Sequence, residues 1–292
     1  MTKPEVAPAR SREYVLTASC PDREGILSAV SGFLARCGCN IVDCQQFSEP
    51  SPGTFFTRIH FATVVTVDID VLIDKFHDVA QRFGMTWDAG PTTRKPRTVV
   101  LVSKQLHCLN DLLFRHHSRQ LAVDIRAIMS NHTGGRELAK WYDLPFHHIP
   151  VVNDDKAAQE DRMLDVIQDH DVELAILARY MQILSPRVCA KLPGRIINIH
   201  HSFLPSFKGA KPYRQAHQAG VKLIGATAHY VTENLDEGPI IEQDVRRVNH
   251  RHEPADLVAL GRDLECGVLA RAVKWHAERR VLRNGNRTVV FA

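Results

Sequence analysis

The sequence predicts two α/β architectures in series: a ferredoxin-like α+β unit over residues 12–90 and, after a linker at 91–96, a Rossmann-like domain with a mostly parallel sheet over 97–292. Three observations carry this. Residues 12–90 read β-α-β-β-α-β, the element order of a split βαβ sandwich. Beyond residue 97, short apolar strands alternate with helical segments, which implies a parallel sheet covered on both faces. Between the two lies Gly90-Pro91-Thr92-Thr93-Arg94-Lys95-Pro96, a polar, proline-bounded stretch of the kind that separates domains.

In chain order, Tyr14-Val15-Leu16-Thr17-Ala18 is a strand by alternation and β-branching. A helix follows, opened by Pro21-Asp22-Arg23-Glu24-Gly25 and carrying Ile26, Leu27, Val30, Phe33 and Leu34 on one face. Strands at 40–48 and 54–65 are separated by Pro50-Ser51-Pro52-Gly53, and a helix at 69–83 precedes a short strand at 85–87. In the second domain the spacing predicts strands at 97–102, 122–130, 147–151, 174–178 and 195–198, with helices at 106–116, 135–142 and 156–169. Further strands are predicted at 226–232 and 240–248, then a long helix at 254–279 and a terminal hairpin.

Composition narrows the function classes. A content of 44% hydrophobic and 24% charged residues is that of a soluble globular protein. With 37 Lys plus Arg against 33 Asp plus Glu, the net charge is too mild for a nucleic-acid footprint, though it suits a small anionic ligand. The seven cysteines have no zinc-like spacing, so reduced, mostly buried thiols are expected. No metal is expected either: His147 and His148 are adjacent in a strand, so their side chains face opposite ways. The N-terminal residues lack the apolar core of a secretory signal, and no run is long enough to span a bilayer. Together these predict a cytoplasmic protein without a membrane partner.

The chemistry concentrates in Ile196-Ile197-Asn198-Ile199-His200-His201-Ser202-Phe203-Leu204-Pro205-Ser206-Phe207-Lys208-Gly209. An apolar run ends in a polar, histidine-bearing loop, and functional groups in open α/β sheets gather where strands end. Asn198 and His200 are two apart, so in a strand they share a face. An amide donor beside an imidazole suits a carbonyl oxygen whose charge grows during attack. Taken alone, Asn198 also reads as a strand-end cap and Asp236 as a turn residue before Gly238-Pro239.

This stretch resembles the signature of the formyltransferase family that uses 10-formyltetrahydrofolate, where an Asn-x-His pair precedes a Ser-x-Leu-Pro loop. Gly225-Ala226-Thr227-Ala228-His229-Tyr230-Val231-Thr232-Glu233-Asn234-Leu235-Asp236-Glu237-Gly238-Pro239-Ile240-Ile241 is similar to the family segment ending in Asp-x-Gly-x-Ile-Ile. Leu177-Ala178-Arg179-Tyr180-Met181-Gln182-Ile183-Leu184-Ser185 resembles the loop that walls the pterin ring. Three matches in order are specific. The resemblance implies a catalytic trio of Asn198, His200 and Asp236. It also implies a folate cleft formed by Met181, Gln182, Ile183 and Leu184 with Glu233, Asn234, Leu235 and His229, which matches a histidine of the family pattern; the alternative for His229, on a strand, is a brace for the aspartate loop.

Asp22-Arg23-Glu24-Gly25-Ile26-Leu27 is similar to the ligand-proximal turn of ACT regulatory domains; the alternative is a plain helix cap with Asp22 at the N-cap. The chain departs from the glycinamide ribonucleotide transferases at three places. The turn after the first strand of the second domain, Val102-Ser103-Lys104-Gln105-Leu106-His107-Cys108-Leu109-Asn110, has no glycine to cradle a phosphate. His201 stands where those enzymes usually show proline, and Lys211-Pro212-Tyr213 where they carry histidines. These departures and the ACT-like unit match the formyltetrahydrofolate deformylases, in which water is the acceptor. The resemblance implies hydrolysis of 10-formyltetrahydrofolate to tetrahydrofolate and formate, with no separate cofactor. It further implies formate supply for purine synthesis, a homo-oligomer, and glycine and methionine as opposing effectors. The rivals are a formyltransferase to a glycinamide nucleotide or aminoacyl-tRNA, and a non-catalytic folate or amino-acid sensor.

Overall fold

The computed structural model describes residues 12–51, 53–63, 68–152, 155–205 and 212–292. The end of the expected strand at 64–65 and the loop Ser206 to Lys211 lie outside the described residues. Two compact units emerge: Met1–Arg94 with Glu278–Leu282 and Val289–Ala292, and Lys95–Ala277 with Arg283–Thr288. Their boundary falls inside the expected linker. The C-terminus differs from the expected single domain to residue 292, because two short C-terminal segments join the first unit. Within that unit the Arg58 guanidinium donates to the Glu278 carbonyl at 3.1 Å, and Arg279 Nε donates to Asp88 at 2.6 Å.

The first unit is the ferredoxin-like sandwich. Its elements are β1 (Arg12–Pro21), α1 (Ile26–Arg36), β2 (Cys39–Glu49), β3 (Thr54–Thr63), α2 (Ile69–Phe83) and β4 (Thr86–Pro91). The strands order β2-β3-β1-β4, with every neighbouring pair antiparallel. Alternation along β1 and β3 turns Tyr14, Leu16, Ile59 and Phe61 toward Val30, Phe33 and Leu34 of α1 and Leu72 and Phe76 of α2. One sequence reading is corrected here. Gly25, with φ 85°, is the N-cap of α1 and no side chain caps the helix. Asp22 sits too far upstream, and the left-handed turn at Gly25 is one that glycine adopts at little cost.

The second unit is a seven-stranded sheet covered by helices. Its strands are β5 (Arg97–Val102), β6 (Asp124–Ser130), β7 (Phe146–His148), β8 (Leu174–Leu177), β9 (Ile196–His200), β10 (Leu223–Tyr230) and β11 (Ile240–Arg247). Its helices are α3 (His107–His117), α4 (Arg136–Trp141), α5 (Lys156–Asp169), α6 (Pro186–Lys191), α7 (Pro212–Gln218) and α8 (Pro254–Ala277). The order is β11-β10-β9-β8-β5-β6-β7. Five strands are parallel, while β10 runs antiparallel to both β9 and β11. Val99 to Val102, Leu174 to Leu177 and Ile196 to Ile197 are buried, as strands covered on both faces must be. A hairpin of β12 (Val281–Asn284) and β13 (Arg287–Val290) ends the chain.

The short helices α6 and α7 were not predicted. Each spans six or seven residues, too few to show a period. Among the described residues, no helix is long and apolar enough to cross a membrane.

Candidate active site

The apolar run of β9 buries Ile196, Ile197 and Ile199 and delivers Asn198 and His200 to the same end of the sheet. Antiparallel β10 then sets the partners. His229 pairs in register with Asn198, and Thr227 with His200. Directly opposed side chains on one face of such a ladder lie close together. Asn198 Nδ2 is accordingly 3.1 Å from His229 Nε2. The other ring nitrogen, Nδ1, is 2.9 Å from the Tyr230 carbonyl oxygen, which can only accept, so Nδ1 carries a proton. Nε2 thus faces the Asn198 amide.

Asp236 completes the cluster. Its Oδ2 is 3.2 Å from His200 Nδ1 and its Oδ1 is 3.6 Å from His229 Nε2. Burial pushes the Asp236 carboxyl up, but hydrogen bonds and charge from His200 and His229 outweigh it and hold the carboxyl well below the usual carboxylate range. Asp236 is therefore a fixed negative charge in the resting cleft. It adopts φ 56°, a left-handed conformation that a non-glycine residue keeps only where its surroundings enforce it. Gly238 supplies part of that enforcement: a Cβ there would fall 1.8 Å from the Tyr230 carbonyl oxygen. The opposite ring nitrogen of His200, Nε2, is buried with no partner among the described residues. It is the ring nitrogen left over for a ligand.

The loop after β9 is pinned by one fully buried hydroxyl. Thr227 Oγ1 donates to the Ser202 carbonyl at 2.9 Å and accepts from the Leu204 N–H at 3.1 Å and Gln243 Nε2 at 2.9 Å. The loop after β8 is held at both ends. Ser103 Oγ accepts from the Met181 N–H at 3.0 Å, while Glu160 accepts from the Ser185 N–H at 2.8 Å and from its hydroxyl. These anchors shape a cleft of about 300 Å³. The cleft brings together all the expected residues: Met181, Gln182, Ile183, Leu184, Asn198, His200, His229, Glu233, Asn234, Leu235 and Asp236. Met181, Ile183 and Leu235 are 56, 59 and 57% exposed. Large apolar side chains gathered at one mouth mark a ligand groove.

Arg179 and His201 also line this cleft and were given no role there by sequence reasoning. Both lie in the quoted motifs, but their significance depends on distant partners. Arg179 has φ 64° and places Nε 3.4 Å from Oε2 of Glu265 on α8. Burial, then the positive charges of Arg179 and His200, lower the His201 imidazole to about 4, so it is neutral at physiological pH. Of the glycine-free turn after β5, Lys104 and Gln105 are exposed and do not line the cleft. His107 turns inward to Glu265 at 2.7 Å. The expected regulatory turn lies in the other unit. There Asp22, Arg23, Glu24 and Gly25 are exposed and Ile26 is buried. The Arg23 guanidinium donates to the Arg82 carbonyl and lies 4.6 Å over the Phe83 ring.

Two predictions come from this geometry. Gly238→Ala drives a methyl into the Tyr230 carbonyl oxygen, and forced overpacking of this kind costs about 1–3 kcal/mol. Thermal melting should fall measurably; a melting temperature equal to the parent's would contradict the close approach. The second concerns pH. His201 is lowered from 6.5 to about 4 in the fold, so as pH drops through this window the unfolded chain takes up a proton that the native site refuses. Stability rises with pH wherever the unfolded state binds more protons. The His201 contribution is thus fully present above 6.5 and is lost progressively as pH falls toward 4. His201→Asn should flatten that part of the slope in urea titrations, and an unchanged slope would contradict the assignment.

Comparison with known proteins identifies the family. The family model for formyl transferase matches residues 96–273. A formyltetrahydrofolate deformylase of Corynebacterium sp. (strain P-1) is 50% identical over 279 residues, covering 95% of this chain and 98% of that one. The crystal structure of a formyltetrahydrofolate deformylase from Burkholderia mallei superposes with a TM-score of 0.92 at 51% identity, over 96% of this chain and 100% of that one. A glycinamide ribonucleotide transformylase from Symbiobacterium toebii shares the second unit's fold, with a TM-score of 0.64 at 29% identity over 68% of this chain and 95% of its own. Near-complete coverage at half identity decides between these relatives: this chain belongs to the formyltetrahydrofolate deformylase family.

Proposed function

We propose that this chain hydrolyses 10-formyltetrahydrofolate to tetrahydrofolate and formate. The observation that carries the proposal is the Asp236 carboxylate held between His200 and His229, beside Asn198, in an apolar-lipped cleft. The pterin lies against the 181–184 loop and the backbone of 233–236. The formyl oxygen accepts from the second Asn198 amide hydrogen and from His200 Nε2, which has no other partner among the described residues. Donors aimed at the position where negative charge develops are the largest single source of acceleration in acyl transfer. Water adds to the formyl carbon, its proton passes by way of Asp236 to N10 of the folate, the C–N10 bond breaks, and formate leaves. His200, as an imidazolium, holds charge that Asp236 balances, while His229 keeps Asn198 and Asp236 in place. The chain itself supplies every group this route requires besides folate and water.

A transferase reading is disfavoured by the glycine-free turn after β5, and a sensor reading by the intact trio. The formate would enter purine synthesis and balance the one-carbon pool. The seven cysteines are all free thiols, which supports a reducing, cytoplasmic setting.

The first unit is read as an ACT-like regulatory module, with glycine and methionine as opposing effectors near Asp22 to Leu27. A homo-oligomer accompanies this reading. Strand β2 is an 11-residue edge strand, and its Val42 and Phe47 are 52 and 44% exposed. An edge of this length is a template on which a second copy can pair.

Asp236→Asn should leave folate binding intact while formate release collapses. Asn198→Ala removes one oxyanion donor and should reduce turnover roughly a hundred- to a thousandfold. Formate release near the parent rate from either variant, with binding measured separately, would overturn the roles. For regulation, glycine and methionine should shift the rate of the intact protein in opposite directions, with couplings of about 1–3 kcal/mol. Light scattering should show an oligomer. A monomer indifferent to both amino acids would refute the regulatory reading and leave the hydrolase reading standing.

A further inference from the structure

Behind the catalytic trio lies a buried ionic cluster that the proposed mechanism does not use. Glu265 on α8 is 1% exposed, yet ionised. Burial pushes its carboxyl up, but the His107 hydrogen bond and the Arg179 charge outweigh it and hold the carboxyl below its ordinary value. Three groups converge on it. His107 Nε2 lies 2.7 Å from Oε2, the Tyr213 hydroxyl donates to Oε1 at 2.6 Å, and Arg179 Nε stands 3.4 Å from Oε2. Tyr213 reaches the carboxylate across Gly261, where a Cβ would fall 2.1 Å from the tyrosine ring. Arg179 is the member that faces the cleft; its Nε and Nη1 are buried without hydrogen-bond partners among the described residues. Beside it His201 stands with its ring 5.2 Å from that of His200 and 6.3 Å from Tyr213. His107, Cys108 and Glu265 also present atoms within 4.8 Å of one another, but the guanidinium beside Glu265 opposes a cation there.

The second unit shares its fold with a protein described as a glycinamide ribonucleotide transformylase. The fold therefore does not choose the acceptor; side chains around the trio must. We propose that Arg179, locked by Glu265, His107 and Tyr213, is a specificity-determining wall that admits water to the formyl carbon and keeps amine acceptors out. The guanidinium, backed by a clamped carboxylate, occupies the polar side of the cleft and leaves room beside the formyl carbon for water but not for a larger amine. The neutral His201 ring fills the space beside it. With water as acceptor, a C–O bond forms, the C–N10 bond breaks and the water proton ends on N10. With an amine, a C–N bond would form instead and the amine proton would end on N10.

This inference rests on the trio reading above, and the experiment separates the two. Arg179→Ala alone would leave Glu265 buried and uncompensated, whereas replacing both members of a buried pair is far better tolerated. The double variant Arg179→Ala/Glu265→Gln is therefore given 10-formyltetrahydrofolate and hydroxylamine, and formate and formylhydroxamate are both quantified. The parent should yield formate alone. In the variant the hydroxamate share should rise on the order of tenfold or more, the discrimination that a pocket contact commonly supplies. A folded variant with the parent's product ratio overturns the wall, and so does a folded variant that makes neither product, because a wall is not needed for attack by water. If the double variant does not fold, Arg179→Lys keeps a charge opposite Glu265 with a slimmer head, and the same shift, smaller in size, is required of it. Loss of both products in Asp236→Asn would support the trio whatever the wall does.

Discussion

The carboxylate of Asp236 sits where two antiparallel strands have brought two imidazoles together, and the rest of the site is arranged around that charge. Placing it there requires several separate features. The register of β9 against β10 opposes Asn198 to His229. The left-handed backbone at Asp236 turns its side chain back toward the strands. Gly238 lets the returning chain pass the Tyr230 carbonyl. A residue held in a sparsely populated conformation costs of order 1–3 kcal/mol and persists only where the surroundings over-determine it. Here the surroundings are two histidine contacts and a close backbone crossing.

The histidines around this charge differ in environment rather than in type. His200 and His229 face the carboxylate, whereas His201, next to His200 in sequence, is pressed neutral by burial and by Arg179. Environments that push neighbouring titratable groups apart allow one site to hold distinct acid, base and spectator roles. Their partners produce this separation: His200 closes strand β9 and turns to Asp236, while His201, just past the strand end, packs against Tyr213.

Much of the fold was legible because its signals are local. The stretch 195–198 reads as a buried strand from composition, two residues short of the end of β9, and α5 is bounded as expected, with Asp155 capping it through the Ala158 N–H at 2.9 Å. The ferredoxin-like order followed from alternation and turn residues. Other features had no local signal. Helices α6 and α7 are too short to show a period, and the N-cap at Gly25 depends on a backbone angle. Asn198, His200 and Asp236 stand out through motif order, yet the opposition of Asn198 and His229 exists only because β10 is antiparallel, which a strand's own residues do not declare. Arg179 lies in the loop motif with no local signal of a role, because its partner is a glutamate on the last long helix.

That glutamate makes the deepest contrast in the molecule. A buried ion pair is poor value for stability, because removing two charges from water costs more than their attraction usually returns. A core of Leu, Val and Ala on the same face of α8 would fold as well, and Leu264, Val268 and Leu269 on the same helix are buried in just that way. Yet Glu265 is hydrogen-bonded by a histidine and a tyrosine and faced by an arginine, and the helix accommodates the tyrosine with a glycine at 261. Glycine inside a helix is itself about 1 kcal/mol less favourable than alanine. Two destabilising choices in one turn of helix serve a single outcome, a rigid guanidinium facing the cleft. The energetics of α8 are therefore explained by what Arg179 does beside the trio, and not by what Glu265 contributes to the core.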